Sequence, residues 1–369
     1  YEVTSISNPL YTESDFTFSG SAEAKGTDAG TYPMQLKAAD FANASANFSN
    51  VEFEIVDGAL TIDPAEVELT AASGTKTYNG SEQELEGFTA SVDGLTFDGV
   101  SASGSGKDAG DYPVAFSGVT VGATTDSTGN YVVSAADAGT LTIAPVADKV
   151  TVTVKGAKGS AKYDGAEKTA EGYTAEIDNG LYKESYFTFS GDATVKGTDA
   201  GTYEMQLKAA DFANASANFS DVEFVVAEDG GLAIAQRSVT LTSATDEKAY
   251  DGTALTNDEV TVSGDGFVAG EGATFDVTGT QTEAGSSPNS FDYALNAGTK
   301  AANYDISKSE GTLTVNPVDD EVVVTITENS GSEKYDGTEK SVTGYEVTSI
   351  SNPLYTESDF TFSGSAEAK

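Results

Sequence analysis

The side chains that could do chemistry in this sequence are carboxylates, because histidine and cysteine are absent and Asp plus Glu number 59. Acid–base or nucleophilic catalysis by an imidazole or a thiolate is therefore excluded. A pair of carboxylates suffices for glycoside hydrolysis, but that reaction needs a desolvated cleft that shifts a pKa. Here the recurring Asp and Glu residues are predicted in turns and on polar strand faces, and no phosphate-binding Gly-x-x-x-x-Gly-Lys-[Ser/Thr] loop occurs. We expect no enzymatic activity.

Structural calcium is the other chemistry that carboxylates support, since hard cations prefer oxygen ligands. Candidate ligands lie at predicted domain boundaries, where a bridging ion would stiffen the chain: Asp63, Asp148, Asp319 and Asp320. The alternative is ordinary solvated surface, and no EF-hand pattern is present. No other cofactor is expected.

Lysine and asparagine could also form an isopeptide cross-link between an early and a late strand. The candidate pairs are Lys76 with Asn130 and Lys248 with Asn303. The alternative is a tyrosine packed in the core, an Asp-Gly turn and a lysine at its edge. The sequence favours this alternative because it shows no acidic residue in apolar surroundings that could assist a cross-link.

Four short motifs recur in a fixed order, and they reveal the organisation of the chain. The first is a Lys-Tyr-Asp-Gly turn, with Asn79 replacing Asp in one copy, and its tyrosines are Tyr78, Tyr163, Tyr250 and Tyr335. The second is Asp-Ala-Gly-x-Tyr, and its copies run from Asp28 to Tyr32, from Asp108 to Tyr112 and from Asp199 to Tyr203. A degenerate further copy is predicted near Glu283-Ala284-Gly285 and Tyr293.

The remaining two motifs mark the second half of each repeat. One is Asn followed by an aromatic residue, as in Asn47-Phe48, Asn130-Tyr131, Asn218-Phe219 and Asn303-Tyr304. The other is a closing strand of the form Gly-Thr-Leu-Thr-Ile, which begins at Gly58, Gly139 and Gly311, with a variant at Gly231. Together the motifs predict repeats of about 80–90 residues, a normal size for one domain.

The predicted repeats are residues 1–64 (the first, lacking its start), 65–146, 147–236, 237–317 and 318–369 (the fifth, lacking its end). Residues 1–25 recur without change at 345–369, which suggests a window cut from a longer chain. Two types alternate, since residues 26–49 match residues 197–220 at 23 of 24 positions whereas the second repeat lacks that stretch. We call the first, third and fifth repeats first-type, and the second and fourth second-type.

Apolar residues alternate with polar ones in many segments, which predicts an all-β chain. Examples are Val150-Thr-Val-Thr-Val154 and Val51-Glu-Phe-Glu-Ile55. The only helix candidates, residues 36–46 and 207–217, are predicted to form no more than single turns. In Asp-Ala-Gly-x-Tyr the tyrosine precedes an apolar residue by two positions, as in the tyrosine corner of immunoglobulin domains. We therefore predict small immunoglobulin-like β-sandwiches, in preference to a β-grasp-like fold, joined with hardly any linker into an elongated rod.

The formal net charge of −40 limits the partners of the chain. Such a surface repels nucleic acid and anionic lipid headgroups, so binding to either is not expected. No run of about 18 apolar residues occurs, so no membrane insertion is expected within this segment.

In their order, the Lys-x-Tyr-Asp-Gly, Asp-Ala-Gly-x-Tyr and Asn-Tyr…Gly-Thr-Leu-Thr-Ile-x-Pro motifs resemble the YDG-type or MBG-type repeats of large bacterial surface proteins. The resemblance covers essentially the whole chain, with departures at Asn79 and in the degenerate copy of the fourth repeat. It implies an extracellular protein, anchored to the cell wall or envelope, whose repeats project a terminal adhesive domain. It implies no catalytic residues.

Three functions are compatible with this sequence. The leading hypothesis is a structural stalk that holds a distal adhesive region away from the cell. In the first alternative, the repeats themselves bind a host surface protein or glycan, through sheet edges or tyrosines. In the second, like chains assemble into an extracellular filament.

Overall fold

The structure, a computed structural model, describes residues 1–368, and the prediction of an all-β chain is confirmed. Helical residues within this range form only short 3-10 turns, and the two helix candidates are single turns as predicted. The turns are Glu13–Asp15, Ala38–Asp40, Glu184–Tyr186, Ala209–Asp211, Ala301–Asn303 and Glu357–Asp359. No helix among these residues is long and apolar enough to cross a membrane.

Short strands make up the first two repeats. Those of the first repeat are β1 (Phe16–Phe18), β2 (Gly30–Pro33), β3 (Phe41–Asn43) and β4 (Ala59–Ile62). Those of the second repeat are β5 (Ala65–Ala71), β6 (Gly74–Thr77), β7 (Gln83–Glu86), β8 (Phe88–Ala90), β9 (Ser101–Gly106), β10 (Gly110–Ser117), β11 (Tyr131–Asp137) and β12 (Gly139–Ala144).

The later repeats continue in the same manner. The third repeat has β13 (Val150–Gly156), β14 (Lys158–Lys162), β15 (Lys168–Glu171), β16 (Tyr173–Ile177), β17 (Phe187–Phe189), β18 (Thr194–Gly197), β19 (Gly201–Glu204), β20 (Phe212–Asn214), β21 (Val222–Glu228) and β22 (Gly231–Ala235). The fourth has β23 (Arg237–Ser243), β24 (Asp246–Ala249), β25 (Val260–Gly264), β26 (Ala273–Val277), β27 (Gly285–Pro288), β28 (Phe291–Leu295), β29 (Tyr304–Ser309) and β30 (Thr312–Asn316). The fifth has β31 (Val324–Glu328), β32 (Val342–Thr343), β33 (Tyr345–Ile350) and β34 (Glu367–Ala368).

The chain divides into two compact units. Unit 1 comprises Tyr1–Thr153, Ala175–Ser190 and Ala209–Val225. Unit 2 comprises Val154–Thr174, Gly191–Lys208 and the residues from Val226 onward. The third repeat of the sequence therefore contributes residues to both units.

In unit 1 the second repeat forms two sheets. One has five strands in the order β6-β12-β10-β9-β7, and the other has three in the order β11-β5-β8. The opening strands β5 and β6 run parallel to the closing strands β11 and β12, so the repeat closes on its own beginning. Along β5 the residues Val67, Leu69 and Ala71 are buried and the residues between them are exposed, as the period of two requires.

In unit 2 the fourth repeat repeats this plan. Strand β23 lies between β25 and β29, and β30 lies between β24 and β27. The pairs β23–β29 and β24–β30 are parallel, again joining the opening strands to the closing ones. In the third repeat β14 pairs in parallel with β22, which also pairs with β19.

The largest buried cluster of unit 2 is not confined to one repeat. It joins Leu232 and Ile234 of the third repeat to Val239 and Leu241 of the fourth, together with Tyr163, Ala170, Phe291 and Tyr304. The sequence predicts a separate interior for each repeat, and at this boundary that expectation is wrong. The reason is that aromatic side chains of both repeats pack against each other where the repeats meet.

One predicted strand does not form. Residues 51–58 of the first repeat have no strand, although their copy in the third repeat is β21. In the third repeat β21 lies beside β13 in the sheet β16-β13-β21. Residues 1–64 contain no counterpart of β13, and a strand without a partner leaves its backbone groups unpaired.

Candidate functional site

Each Asp-Ala-Gly-x-Tyr motif folds into a corner held by its own tyrosine. The hydroxyl groups of Tyr32, Tyr112 and Tyr203 donate to the main-chain oxygens of Asp28, Asp108 and Asp199, at 2.8, 2.9 and 2.9 Å. Each acceptor lies four residues upstream of its tyrosine. The three tyrosine side chains are partly buried. The corner therefore fixes the position of the aspartate and of the alanine after it.

Glycine is required at two places in this corner. The motif glycine has a positive φ, 154° at Gly201, a backbone conformation that favours glycine. A second glycine, two residues before the aspartate, lies against the tyrosine ring. A Cβ on Gly106 would stand 2.3 Å from the ring of Tyr112, and one on Gly197 would stand 2.4 Å from the ring of Tyr203. The ring can occupy this position only because no side chain is there.

The corner of each of the first three repeats binds an asparagine of the next repeat, an arrangement that we call the clasp. In unit 1, Ala29 N donates to Asn130 Oδ1 at 2.6 Å, and Asn130 Nδ2 donates to Asp28 Oδ1 at 3.0 Å. The same two bonds join Ala109 N and Asp108 Oδ1 to Asn218, at 2.6 and 2.9 Å.

In unit 2 the clasp recurs between the third and fourth repeats. Ala200 N donates to Asn303 Oδ1 at 2.7 Å, and Asn303 Nδ2 donates to Asp199 Oδ1 at 2.9 Å. Lys300 Nζ adds a bond of 2.7 Å to Asp199 Oδ2. Lys300 first and Asn303 second hold the pKa of the Asp199 carboxyl below its ordinary range.

Asparagine suits this position because its amide carries a donor and an acceptor side by side. The carboxylate of the corner can only accept, and the alanine N–H can only donate. In the clasps Asn218 and Asn303 are buried, with 7% and 0% of their surface exposed. The corresponding Asn47 of the first repeat is exposed.

The tyrosine of the Lys-Tyr-Asp-Gly turn packs against the aromatic residue that follows the clasp asparagine. In unit 1, Tyr78 is buried and meets Phe219 edge to face at 5.7 Å between ring centroids. Its hydroxyl lies 3.5 Å from that of Tyr186. This hydrogen bond, followed by burial, raises the pKa of Tyr78 to about 12. Beside their clasp, the second and third repeats thus meet through uncharged aromatic groups.

The third and fourth repeats meet through similar rings with charged neighbours. Tyr163 and Tyr304 pack edge to face at 5.6 Å, and their hydroxyls donate to the two carboxylate oxygens of Glu271. Lys162, directly before Tyr163, forms an ion pair of 2.8 Å with Asp265.

The glycine of the same turn receives an apolar side chain from the next repeat. A Cβ on Gly80 would stand 3.2 Å from Leu181, and one on Gly165 would stand 3.1 Å from Val268. Both glycines have positive φ, so the position is restricted by conformation and by space. Gly252 has the same relation to Leu354.

Other predicted site residues lie elsewhere. Tyr250 is partly buried and packs against a small cluster of Leu255, Leu313 and Val315. Tyr335, predicted to pack in a core, is 96% exposed.

The degenerate copy in the fourth repeat is only partly as predicted. Gly285 begins β27, which pairs with the closing strand β30 as β10 pairs with β12. The place of the corner tyrosine is taken by Ser287, whose hydroxyl donates to Thr280 O. The predicted Tyr293 lies one strand later, in β28, and is partly exposed.

The proposed cross-link partners are engaged with other groups. Lys76 Nζ donates to Glu84 O at 2.6 Å, and Lys248 Nζ donates to Asp251 and Thr253, whereas Asn130 and Asn303 belong to clasps. The isopeptide interpretation is therefore not supported. The calcium candidates Asp63, Asp148, Asp319 and Asp320 are all exposed. Within residues 1–368, no three acidic side chains gather where they could hold a metal ion.

Comparison with known protein families finds a match in two stretches of this chain. The family model of the MBG domain matches residues 2–64 and 150–236. Both stretches lie in first-type repeats, so the MBG-type repeats recognised from the sequence motifs are confirmed there. No curated protein and no solved structure matches the chain.

The clasp asparagine was missed as a site residue in the sequence, where Asn130, Asn218 and Asn303 served only as markers of the repeat. A signal was present. Every complete Asp-Ala-Gly-x-Tyr motif is followed, slightly more than one repeat later, by an Asn-aromatic pair. The three Asp–Asn separations are 102, 110 and 104 residues, and a recurring separation longer than one repeat is what a contact between neighbouring repeats would produce.

Replacing Tyr112 with phenylalanine will loosen the corner that presents Asp108 and Ala109. The loss of one hydrogen bond to a main-chain oxygen is expected to cost about 1 kcal/mol of stability. Amide hydrogen exchange at Ala109 will be faster than in the parent chain, because Ala109 N donates within the clasp. Tyr293→Phe, at a tyrosine outside any corner, is the matched control and will leave that exchange rate unchanged. Equal rates in both variants would show that the corner does not support the clasp.

Alkaline pH will weaken the contact between the third and fourth repeats. The hydrogen bond to Glu271, followed by burial, raises the pKa of Tyr163 from its ordinary 10.0 to about 12. Since the folded pKa is the higher one, this stabilisation is fully present below about pH 10 and is lost as the pH rises through about 12. An alkaline titration followed by tyrosinate absorbance and near-UV circular dichroism will show the loss. In Tyr163→Phe the part of this transition that Tyr163 contributes will be lost, whereas Tyr304, which also donates to Glu271 and whose pKa is raised by burial, will keep its own. An alkaline transition identical to that of the parent chain would contradict the assignment.

Proposed function

We propose that this chain is part of the stalk of a bacterial surface protein. In this proposal the repeats are immunoglobulin-like sandwiches that hold a distal adhesive region away from the cell envelope. The match to the MBG domain supports the proposal, as does the absence from the sequence of the residues for imidazole or thiolate catalysis.

The observation that carries the proposal is the clasp. It occurs at three successive boundaries, with the same atoms of the same residue types. Two hydrogen bonds at each of these boundaries, with a ring contact at the second and third of them, restrict rotation of one repeat about the next, whereas a simple peptide linker would permit it. Prolines at the seams, Pro64, Pro145 and Pro317, fix φ there and remove a backbone donor. A spacer needs such restriction, because a flexible chain of domains has a shorter average reach.

Small-angle scattering of the purified chain tests the proposal. We expect an elongated particle in which each repeat adds roughly 25–30 Å, since the longest strand of a repeat has 8 residues and rises about 3.4 Å per residue. The variant Asn130→Ala/Asn218→Ala/Asn303→Ala will populate bent forms, so its average longest dimension will decrease. Asn47→Ala, which removes the exposed asparagine, is the control. A compact particle from the parent chain would refute the stalk.

A further inference from the structure

The sequence contains two Asn-Gly pairs, Asn79-Gly80 and Asn179-Gly180, and both lie where the second and third repeats meet. The turn at Gly80 receives the side chain of Leu181, the residue after the second pair. In the Lys-Tyr-Asp-Gly turns of the later repeats, aspartate occupies the position of Asn79.

Both asparagines are held in turns that bring their side chain over the next residue. Asn79 Oδ1 accepts from Ser81 N and Asn179 Oδ1 accepts from Leu181 N, each at 2.9 Å. This hydrogen bond two residues ahead closes a ring that contains both the side-chain carbonyl carbon and the nitrogen of the intervening glycine. Within residues 1–368, neither glycine N–H donates a hydrogen bond. Asn79 is exposed and Asn179 is partly exposed, so water reaches both.

We propose that Asn79 and Asn179 are sites of spontaneous deamidation through a succinimide. The nitrogen of the following glycine attacks Cγ of the asparagine. The N–Cγ bond forms, the Cγ–Nδ2 bond breaks, and the amide leaves as ammonia with the proton of the glycine N–H. Water then adds to one of the two succinimide carbonyls and opens the ring to aspartate or isoaspartate. No oxidant or reductant takes part.

The two products differ in their effect on the contact. Aspartate at position 79 keeps the turn, because Asp164, Asp251 and Asp336 make the same bond to the residue two ahead. Isoaspartate inserts a methylene into the main chain. At position 179 this insertion shifts Leu181 relative to Gly80, and at position 79 it shifts Gly80 itself. Formation of isoaspartate therefore loosens this joint as the protein ages.

The chain contains its own control for the chemistry. Asn8 and Asn352 lie in copies of the Asn179 turn and accept from Leu10 N and Leu354 N, at 3.0 and 2.9 Å. The residue after each is proline, which has no N–H to attack Cγ. These two asparagines share the turn but lack the nucleophile.

Incubation of the full chain at neutral pH and physiological temperature, followed by peptide mapping, tests the proposal. We expect the mass gain of an amide-to-acid conversion, and isoaspartate by fragmentation, at positions 79 and 179. Asn8 and Asn352 will keep their amides. If positions 79 and 179 stay as intact as Asn8 and Asn352, or if all asparagines react alike, the succinimide mechanism is wrong.

The effect on the joint has a separate readout. The variant Asn79→Asp/Gly180→Pro uses residues that other repeats carry at these positions, and it removes both reactive pairs. After ageing, amide exchange at Ala109, which donates in the clasp of this joint, will be faster in the parent chain than in the variant. Exchange at Ala200, in the next clasp, will be equal in the two. Equal exchange at Ala109, with isoaspartate present in the parent, would refute the loosening.

Discussion

Asn303→Ala will lower the free energy of unfolding of unit 2 by about 1–3 kcal/mol, since it leaves the partly buried N–H of Ala200 without its acceptor. The amide of Asn303 has no exposed surface, so water does not replace it at Ala200 N without rearrangement. The carboxylate of Asp199 retains Lys300, which limits the loss on that side. Asn303→Asp will also destabilise the joint, because it places a second carboxylate beside Asp199.

The measurement must resolve one joint among several. A chain of several repeats is not expected to unfold in one two-state step, so a single midpoint is a poor readout. Amide exchange at Ala200 during mild denaturation reports on the clasp directly. Asn47→Ala, at the exposed copy of the same motif, is the matched control and will leave exchange at Ala200 unchanged. If Asn303→Ala is as stable as Asn47→Ala, the clasp does not hold the repeats together.

Strand β13 followed from the sequence, and its neighbours β16 and β21 lie in the same repeat. The alternation at Val150, Val152 and Val154 predicted β13, and all three side chains are fully buried. The same reasoning was wrong for Val51-Glu-Phe-Glu-Ile55, which alternates as well but has no strand beside it. Periodicity identifies a face that can be buried, whereas a sheet also requires a neighbour that satisfies the backbone.

The contacts between repeats could not be derived in the same way. Asp28 and Asn130 lie 102 residues apart, and nothing local at either position indicates that the other is near. The tyrosine corner was predictable, because it joins residues four apart within one motif. The docking of one corner on the next repeat depends on how two folded surfaces fit, which no pattern within one repeat specifies.

The position of a single lysine helps to explain why two repeat types alternate. In the third repeat Lys162 directly precedes the tyrosine of the turn, and its side chain reaches Asp265 of the fourth repeat. In the second repeat Lys76 lies one residue earlier, and it bonds Glu84 O of its own repeat. Successive side chains of a strand point to opposite faces, so a shift of one residue turns the charge toward or away from the next repeat. The joint of the third and fourth repeats therefore has an ion pair beside its aromatic contact, whereas at the joint of the second and third the lysine bonds within its own repeat.

Gly311→Ala will destabilise the fourth repeat by about 3 kcal/mol or more, because the added methyl group meets main-chain atoms that cannot turn aside. A Cβ at this position would stand 2.3 Å from Ala244 O and 2.5 Å from Ser243 O. Both main-chain polar groups of Gly311 also form hydrogen bonds. Gly311 N donates to Ser243 Oγ at 3.0 Å, and Gly311 O accepts from Asn289 N at 2.8 Å. If the two main-chain segments moved apart to make room for the methyl group, these buried hydrogen bonds would be stretched.

The first repeat supplies the control, since Gly58 opens the same closing motif in open surroundings. The nearest atom to a Cβ there is Met34 Sδ at 3.8 Å, an ordinary contact with a flexible side chain. Gly58→Ala is expected to be neutral or to stabilise by about 0.4–1 kcal/mol, through the lower entropy of the unfolded chain. Amide exchange at Leu313 for Gly311→Ala, and at Leu60 for Gly58→Ala, will separate the two. If both variants behave alike, the glycine reflects shared ancestry of the motif, and the close approach of the opening and closing strands does not require it.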